Sequence, residues 1–205
     1  GDTGFVRLIL GDSYVNMTQE NIKNDDPLAV YKQMNGVDMF MGITFNNIRV
    51  SFYAFMAGLL LSVGTILLLL YNGIMLGTFH HLFYTQDLLF KSLSIVWIHG
   101  TLEISSIIIA GAAGLILGNS ILFPKTYSRR QSFLISAKDG VKIIIGLIPL
   151  FIVAGFLESF VTRFTQMPIF INLTIILSSL LFIIWYVIIY PLKLSRREKN
   201  ESTEN

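Results

Sequence analysis

His99 and Glu103 stand at i and i+4 in the stretch Ser94-Ile-Val-Trp-Ile-His-Gly-Thr-Leu-Glu-Ile-Ser-Ser106, which runs into an apolar segment from Ile107 to Pro124. On a helix this spacing puts an imidazole and a carboxylate on one face, where they can share a partner, a proton or an ion. No other part of the chain concentrates ionisable groups in an apolar setting in this way. An ionisable group at bilayer depth costs several kcal/mol unless it is paired or meets water, so it marks a functional position by default. The structural alternative is a polar clasp that fastens helices together.

The elements that position these residues are membrane elements. The chain has 205 residues, 53% of them hydrophobic and 14% charged, and its mean hydropathy is +0.65. That is too apolar for a soluble domain of this size. Cysteine is absent, which excludes disulfides and thiolate metal sites and leaves His, Asp and Glu as the only strong ligands. The net charge of +2 gives no support to nucleic-acid binding. The chain begins Gly1-Asp2-Thr3 with no initiator Met, and a piece of a longer protein is expected.

Residues 1–42 are mixed and acid-leaning and form an expected water-exposed segment. It has one or two small amphipathic helices around Val6–Leu10 and Leu28–Met34, the second opened by Asp26-Pro27. Val50 to Tyr71 carries no charge and is long enough to cross a ~30 Å hydrocarbon core. Asn72-Gly73 and Gly77 then suggest a helix stop. The segment 73–99, interrupted by Asp87 and Lys91, reads as two short helices, either re-entrant or crossing once. Further spans are expected over 101–121, 141–162 (with Pro149 inside) and 169–190. Trp185, Tyr186 and Tyr190 serve as an aromatic belt in the last of these. Ala110, Gly114 and Gly118 share a face as a small-residue packing stripe, with Gly73 and Gly77 as further packing positions. Packing within the bundle is the expected use, and a homodimer seam the other. The polar tail, 192–205, is expected to be disordered. The fold class is therefore all-α: a polytopic transmembrane bundle, 43–191, of about five spans or broken spans with a small extracytoplasmic N-terminal segment.

Lys125, Arg129, Arg130, Lys138 and Lys142, and the tail residues Lys193, Arg196 and Arg197, place both of these regions in the cytoplasm by the positive-inside bias. If 73–99 crosses once, parity gathers Asn46, Asn47, Arg49, His99, Glu103 and Glu158 in the outer leaflet as one polar cluster. In that cluster Arg49 is expected to neutralise Glu103 or Glu158.

Five segments together resemble the stage II sporulation protein M (SpoIIM) family: Phe45-Asn-Asn-Ile-Arg-Val-Ser-Phe52, Tyr71-Asn-Gly-Ile-Met-Leu-Gly77, Ile98-His-Gly-Thr-Leu-Glu-Ile-Ser105, Ile109-Ala-Gly-Ala-Ala-Gly-Leu115 and Gly155-Phe-Leu-Glu-Ser-Phe-Val161. The resemblance runs from about Gly42 to Pro191. It implies a multi-pass protein of the bacterial inner membrane, with a cytoplasmic region and a first membrane helix upstream of Gly1. The member that gave the family its name implies a scaffold for a peptidoglycan-degrading complex during engulfment in spore formers. Many other members occur in bacteria that never sporulate, and the family supplies no catalytic residue to carry over.

The expected function is a non-enzymatic scaffold or assembly protein without cofactor or metal. Its expected partners are membrane lipid and other membrane or cell-envelope proteins. One alternative is a transporter or channel component, suggested by acids within spans. The other is a metal-dependent membrane hydrolase with His99 and Glu103 as ligands and Glu158 or His81 completing the set. Against the hydrolase, the HExxH pattern is absent.

Overall fold

The computed structural model describes residues 3–204 except Gln33 and Gln166. Among the described residues the chain is all-α. Two short helices, α1 (Thr3–Leu10) and α2 (Asp12–Lys23), are joined at Gly11, whose φ of +85° is left-handed backbone that glycine adopts without strain. A 3-10 turn over Ala29–Lys32 leads to α3 (Gly36–Met56), capped by Asn35, whose side chain accepts from Val37 N at 2.9 Å. Then follow α4 (Val63–Tyr84), α5 (Leu89–Leu122), α6 (Arg129–Phe156) with a π-helical turn at Leu157–Val161, α7 (Ile169–Ile184) with another at Trp185–Ile189, and α8 (Tyr190–Glu204).

Helix α5 is the axis of the bundle and touches α3, α4, α6 and α7. The main core lies around it, with Phe55, Leu102, Leu117, Leu147 and Phe151 among its members. Four helical stretches are long and apolar enough to cross a membrane: Val63–Tyr84, Leu89–Leu122, Arg129–Val161 and Ile169–Arg197. The chain is a multi-pass membrane protein. Helix α3 lies alongside them and buries Gly36, Met39, Thr44, Asn47, Ser51, Ala54 and Phe55, with the small and polar residues Thr44, Asn47, Ser51 and Ala54 at i, i+3/i+4 spacing.

Several expectations change here. The uncharged run Val50–Tyr71 is not one span, because the chain reverses over 57–62, with Leu61 and Ser62 at φ of 52° and 71°. This turn packs against α5, where Gly58 and Gly114 bring two backbones together: a Cβ at Gly58 would lie 2.7 Å from Gly114 C. Its freed carbonyls are satisfied locally, since Thr65 Oγ1 donates to Ala54 O at 2.7 Å, and Ser62 Oγ returns the favour to α5 by donating to Leu115 O at 3.1 Å. Such a turn can be built from apolar residues because hydroxyls and glycines, not charge, make it possible.

Helix α4 runs straight through the expected stop at Asn72-Gly73, whose amide donates to Leu68 O at 2.9 Å. A Cβ at Gly73 or Gly77 would meet nothing within 4 Å, so these two glycines are not packing positions. Segment 73–99 is the end of α4 and the start of α5 around a tight turn at Thr85–Leu88. It is neither two short helices nor a separate crossing. The span expected from Thr101 begins at Leu89, and the boundary at Gly42 falls inside α3.

Gly114 and Gly118, with the buried Ala110, do pack, and they do so inside the molecule against Ala54, Thr65, Gly58 and Ser62. Tyr186 is drawn from the aromatic belt into the bundle, its hydroxyl donating to Gly146 O at 3.0 Å. The tail continues as α8 to Glu204; Lys, Arg and Glu are good helix formers extending an already nucleated helix. Asn205 lies outside the described residues.

Candidate functional site

Helix α5 carries His99 and Glu103 one turn apart, and the π-helical end of α6 brings Glu158 and Thr162 across to them. The π turn, closed by Thr162 N donating to Leu157 O at 2.8 Å, holds one more residue than an α turn and so re-aims the side chains that follow. His99 is 4% exposed. Its Nε2 lies 3.7 Å from Glu158 Oε2 and its Nδ1 lies 3.1 Å from Thr162 Oγ1. One ligand atom from each of His99, Glu103 and Glu158 can be chosen so that all lie within 4.8 Å of one another. Asn47 of α3 lies beside Glu103.

The N-terminal segment covers this site. Tyr31 meets the His99 ring edge-on at a centroid distance of 6.0 Å. Leu28, Tyr31, Met39, Phe83 and Ile95 form a core of their own that joins the segment to α3, α4 and α5. Arg163 closes the join by donating to the carbonyls of Met34 at 2.7 Å and Lys32 at 3.3 Å. A cavity of about 360 Å³ remains between cover and bundle, bordered by Tyr14, Tyr31, Phe79, His99, Glu103 and Glu158. Burial pushes the Tyr14 hydroxyl up to about 12, with the Glu158 charge adding to it. The same causes raise Tyr31. Both phenols are therefore neutral hydrogen-bond donors at physiological pH.

Four of the residues anticipated from sequence, Asn47, His99, Glu103 and Glu158, come together. Arg49 does not join them. It is exposed and reaches only Asn46, also exposed, at 3.3 Å, beside a separate cavity of about 700 Å³ between α3 and α6. Among the described residues neither glutamate has a Lys or Arg within 4.0 Å. The expected ion pair with Arg49 is thus overturned: Asn46 and Arg49 sit on the outward face of α3 while Asn47 faces inward, as a helix dictates for neighbours about 100° apart. His81 is exposed, and His80 is bound to Ser92 at 3.1 Å; neither joins the cluster. The sequence reading missed Thr162, although its i+4 relation to Glu158 was a usable signal. It also missed Tyr14 and Tyr31, whose segment offers no local cue to what it covers.

A small apolar cavity with a few converging ionisable groups is the usual form of a ligand or cation site. Two carboxyl groups and an imidazole, without a basic partner, can hold a cation or share a proton.

No curated protein and no solved structure matches the chain. The family model described as stage II sporulation protein M matches residues 5–163. The match takes in the N-terminal helices that the sequence reading left outside the resemblance, and it ends before α7, where that reading continued to Pro191. It spans the cover, the bundle axis and every member of the clustered site, and the chain accordingly belongs to the stage II sporulation protein M (SpoIIM) family.

Proposed function

We propose that the chain is a non-enzymatic scaffold or assembly protein of a bacterial inner membrane, presenting its N-terminal helices on the extracytoplasmic side to cell-envelope partners. The observation that carries this reading is the attachment of those helices: Val6 of α1 and Val15 of α2 pack with Leu82 of α4, and the 3-10 turn that follows is held to the spans by its own apolar core and the Arg163 clamp. A platform needs such a fixed pose, because a partner docking on a loose segment must also supply its ordering entropy. The basic residues at 125–142, in the α5–α6 turn and the first turns of α6, and those at 193–197 in α8 support a cytoplasmic position for the opposite end. Phe5 and Leu8 of α1 are exposed at 47% and 80% and give a partner an apolar anchor. The experiment is cross-linking in native membranes followed by purification of the tagged full chain. An envelope protein should be captured by the wild type and lost in a Phe5→Ser/Leu8→Ser variant of unchanged thermal stability.

A second reading, a transporter or channel component, is favoured by the cavity beside the three ionisable side chains. Solute or ion flux in proteoliposomes, abolished in Glu103→Gln, with no captured partner, would replace the scaffold by this reading.

A further inference from the structure

We propose that His99, Glu103 and Glu158 together bind one divalent transition-metal ion of the zinc class. Proximity is the first argument, because their ligand atoms lie within 4.8 Å of one another, a spread that small rotations of the two carboxyl groups close to the roughly 3.5 Å between ligands bonded at about 2.1 Å to one ion. The second is the direction of the imidazole. Thr162 Oγ1 donates to Leu157 O at 3.1 Å, which commits its proton and leaves its lone pairs to accept from His99 Nδ1–H at 3.1 Å. The neutral ring then carries its bare lone pair on Nε2. That lone pair faces Glu158 Oε2 at 3.7 Å, a gap too long for a hydrogen bond and close to the separation of two ligands on one ion. Ligating histidines ordinarily donate their other ring N–H to a fixed acceptor in this way.

A third observation is independent of the charges. Asn47, 4% exposed, buries an amide nitrogen that completes no full-geometry hydrogen bond, and the Glu103 carboxyl is within its reach. It is a donor held ready to orient a carboxylate. The donor set selects the ion: one imidazole with two carboxylates suits zinc, manganese or iron(II) better than the all-oxygen shells of magnesium and calcium. Three protein ligands and an adjoining cavity leave a fourth position for water or another oxygen ligand. Metal binding here is independent of whether the protein works as a scaffold, so it stands or falls on its own test.

The test is metal analysis by mass spectrometry of the full chain in detergent, stripped with a chelator, loaded with Zn²⁺ and freed of excess. The expected result is one zinc per chain in the wild type, with a higher unfolding temperature than the stripped protein. His99→Ala and Glu158→Gln should lose the zinc, His81→Ala should keep it, and Asn47→Ala should weaken it about 10- to 100-fold. Less than roughly a tenth of an equivalent in the loaded wild type, where binding should saturate, overturns the proposal and leaves a shared proton in the site. Equal zinc in wild type, His99→Ala and Glu158→Gln also overturns it. Should both variants fail to fold, the wild-type stoichiometry and its zinc-dependent unfolding temperature decide alone.

Discussion

Gly114→Ala and Gly73→Ala make the same chemical change in two neighbouring helices and should move stability in opposite directions. At Gly114 the added Cβ would lie 2.5 Å from Ala54 O, 2.7 Å from Thr65 Oγ1 and 3.0 Å from Phe55 O. Ordinary contact begins near 3.4 Å, so the end of α3 must retreat by about 0.9 Å, the difference between 3.4 and 2.5 Å. Two of the three obstacles are backbone and cannot rotate away. Overpacking of this kind costs about 1–3 kcal/mol. The displaced atoms also hold the hydrogen bond from Thr65 to Ala54, worth about 1 kcal/mol net. The gain in helix propensity returns about 1 kcal/mol. The net loss is therefore about 1–3 kcal/mol, whereas Gly73→Ala, with nothing within 4 Å, should gain up to about 1 kcal/mol. Thermal unfolding in detergent, followed by the fluorescence of Trp97 and Trp185 at one fixed scan rate, should separate the two variants by several degrees. Equal midpoints would refute the close approach of the 57–62 turn to α5, and with it the placement of α3 beside the site.

Arg163→Ala removes the two bonds to the Lys32 and Met34 carbonyls, and hydrogen exchange over residues 28–35 should accelerate by about tenfold, the equivalent of one charged hydrogen bond at a half-exposed position. Unchanged exchange would mean that the apolar core alone holds the cover. Arg49→Ala should change the unfolding midpoint by no more than a surface substitution does, under about 0.5 kcal/mol, because its guanidinium reaches only Asn46; a loss of several kcal/mol would restore the buried ion pair. Tyr14 should ionise at about 12 against 10.0 for an ordinary tyrosine, read as phenolate absorbance missing on titration of Tyr14→Phe. Since the folded value is the raised one, its contribution to stability is complete below pH 10.0 and is lost as the pH rises towards 12. An ordinary titration would show that the cover does not bury Tyr14.

The sequence declared its membrane character and the core of its site more readily than its helix boundaries. Spacing alone united His99 with Glu103, and topological parity brought Glu158 to the same end of the bundle. The partition behind that parity was wrong, yet α3 and α4 run out and back over 36–84, so the start of α5 lies at the same end of the bundle as the N-terminal segment. Hydropathy could not find the reversal at 57–62, since Leu59, Leu60 and Leu61 look like any lipid-facing run and the polar satisfaction comes from Ser62 and Thr65. It likewise read Asn72 and Gly73 as a stop, although a membrane helix accommodates both when the amide bonds back to its own turn. Arg49 was assigned to the cluster by depth alone, without regard to helix azimuth, and its neighbour Asn47 is the residue that turns inward. The cover over the site was hidden because Tyr14 and Tyr31 act through tertiary packing, which no local pattern encodes.

The claim on which the account rests is that His99, Glu103 and Glu158 meet at a single point. X-ray absorption spectroscopy of the zinc-loaded protein measures that meeting directly. The account predicts one imidazole nitrogen at about 2.0 Å with oxygen atoms completing the shell, and loss of the imidazole contribution in His99→Ala. A shell containing two imidazoles, or one unchanged in His99→Ala, would place the ion elsewhere and contradict it.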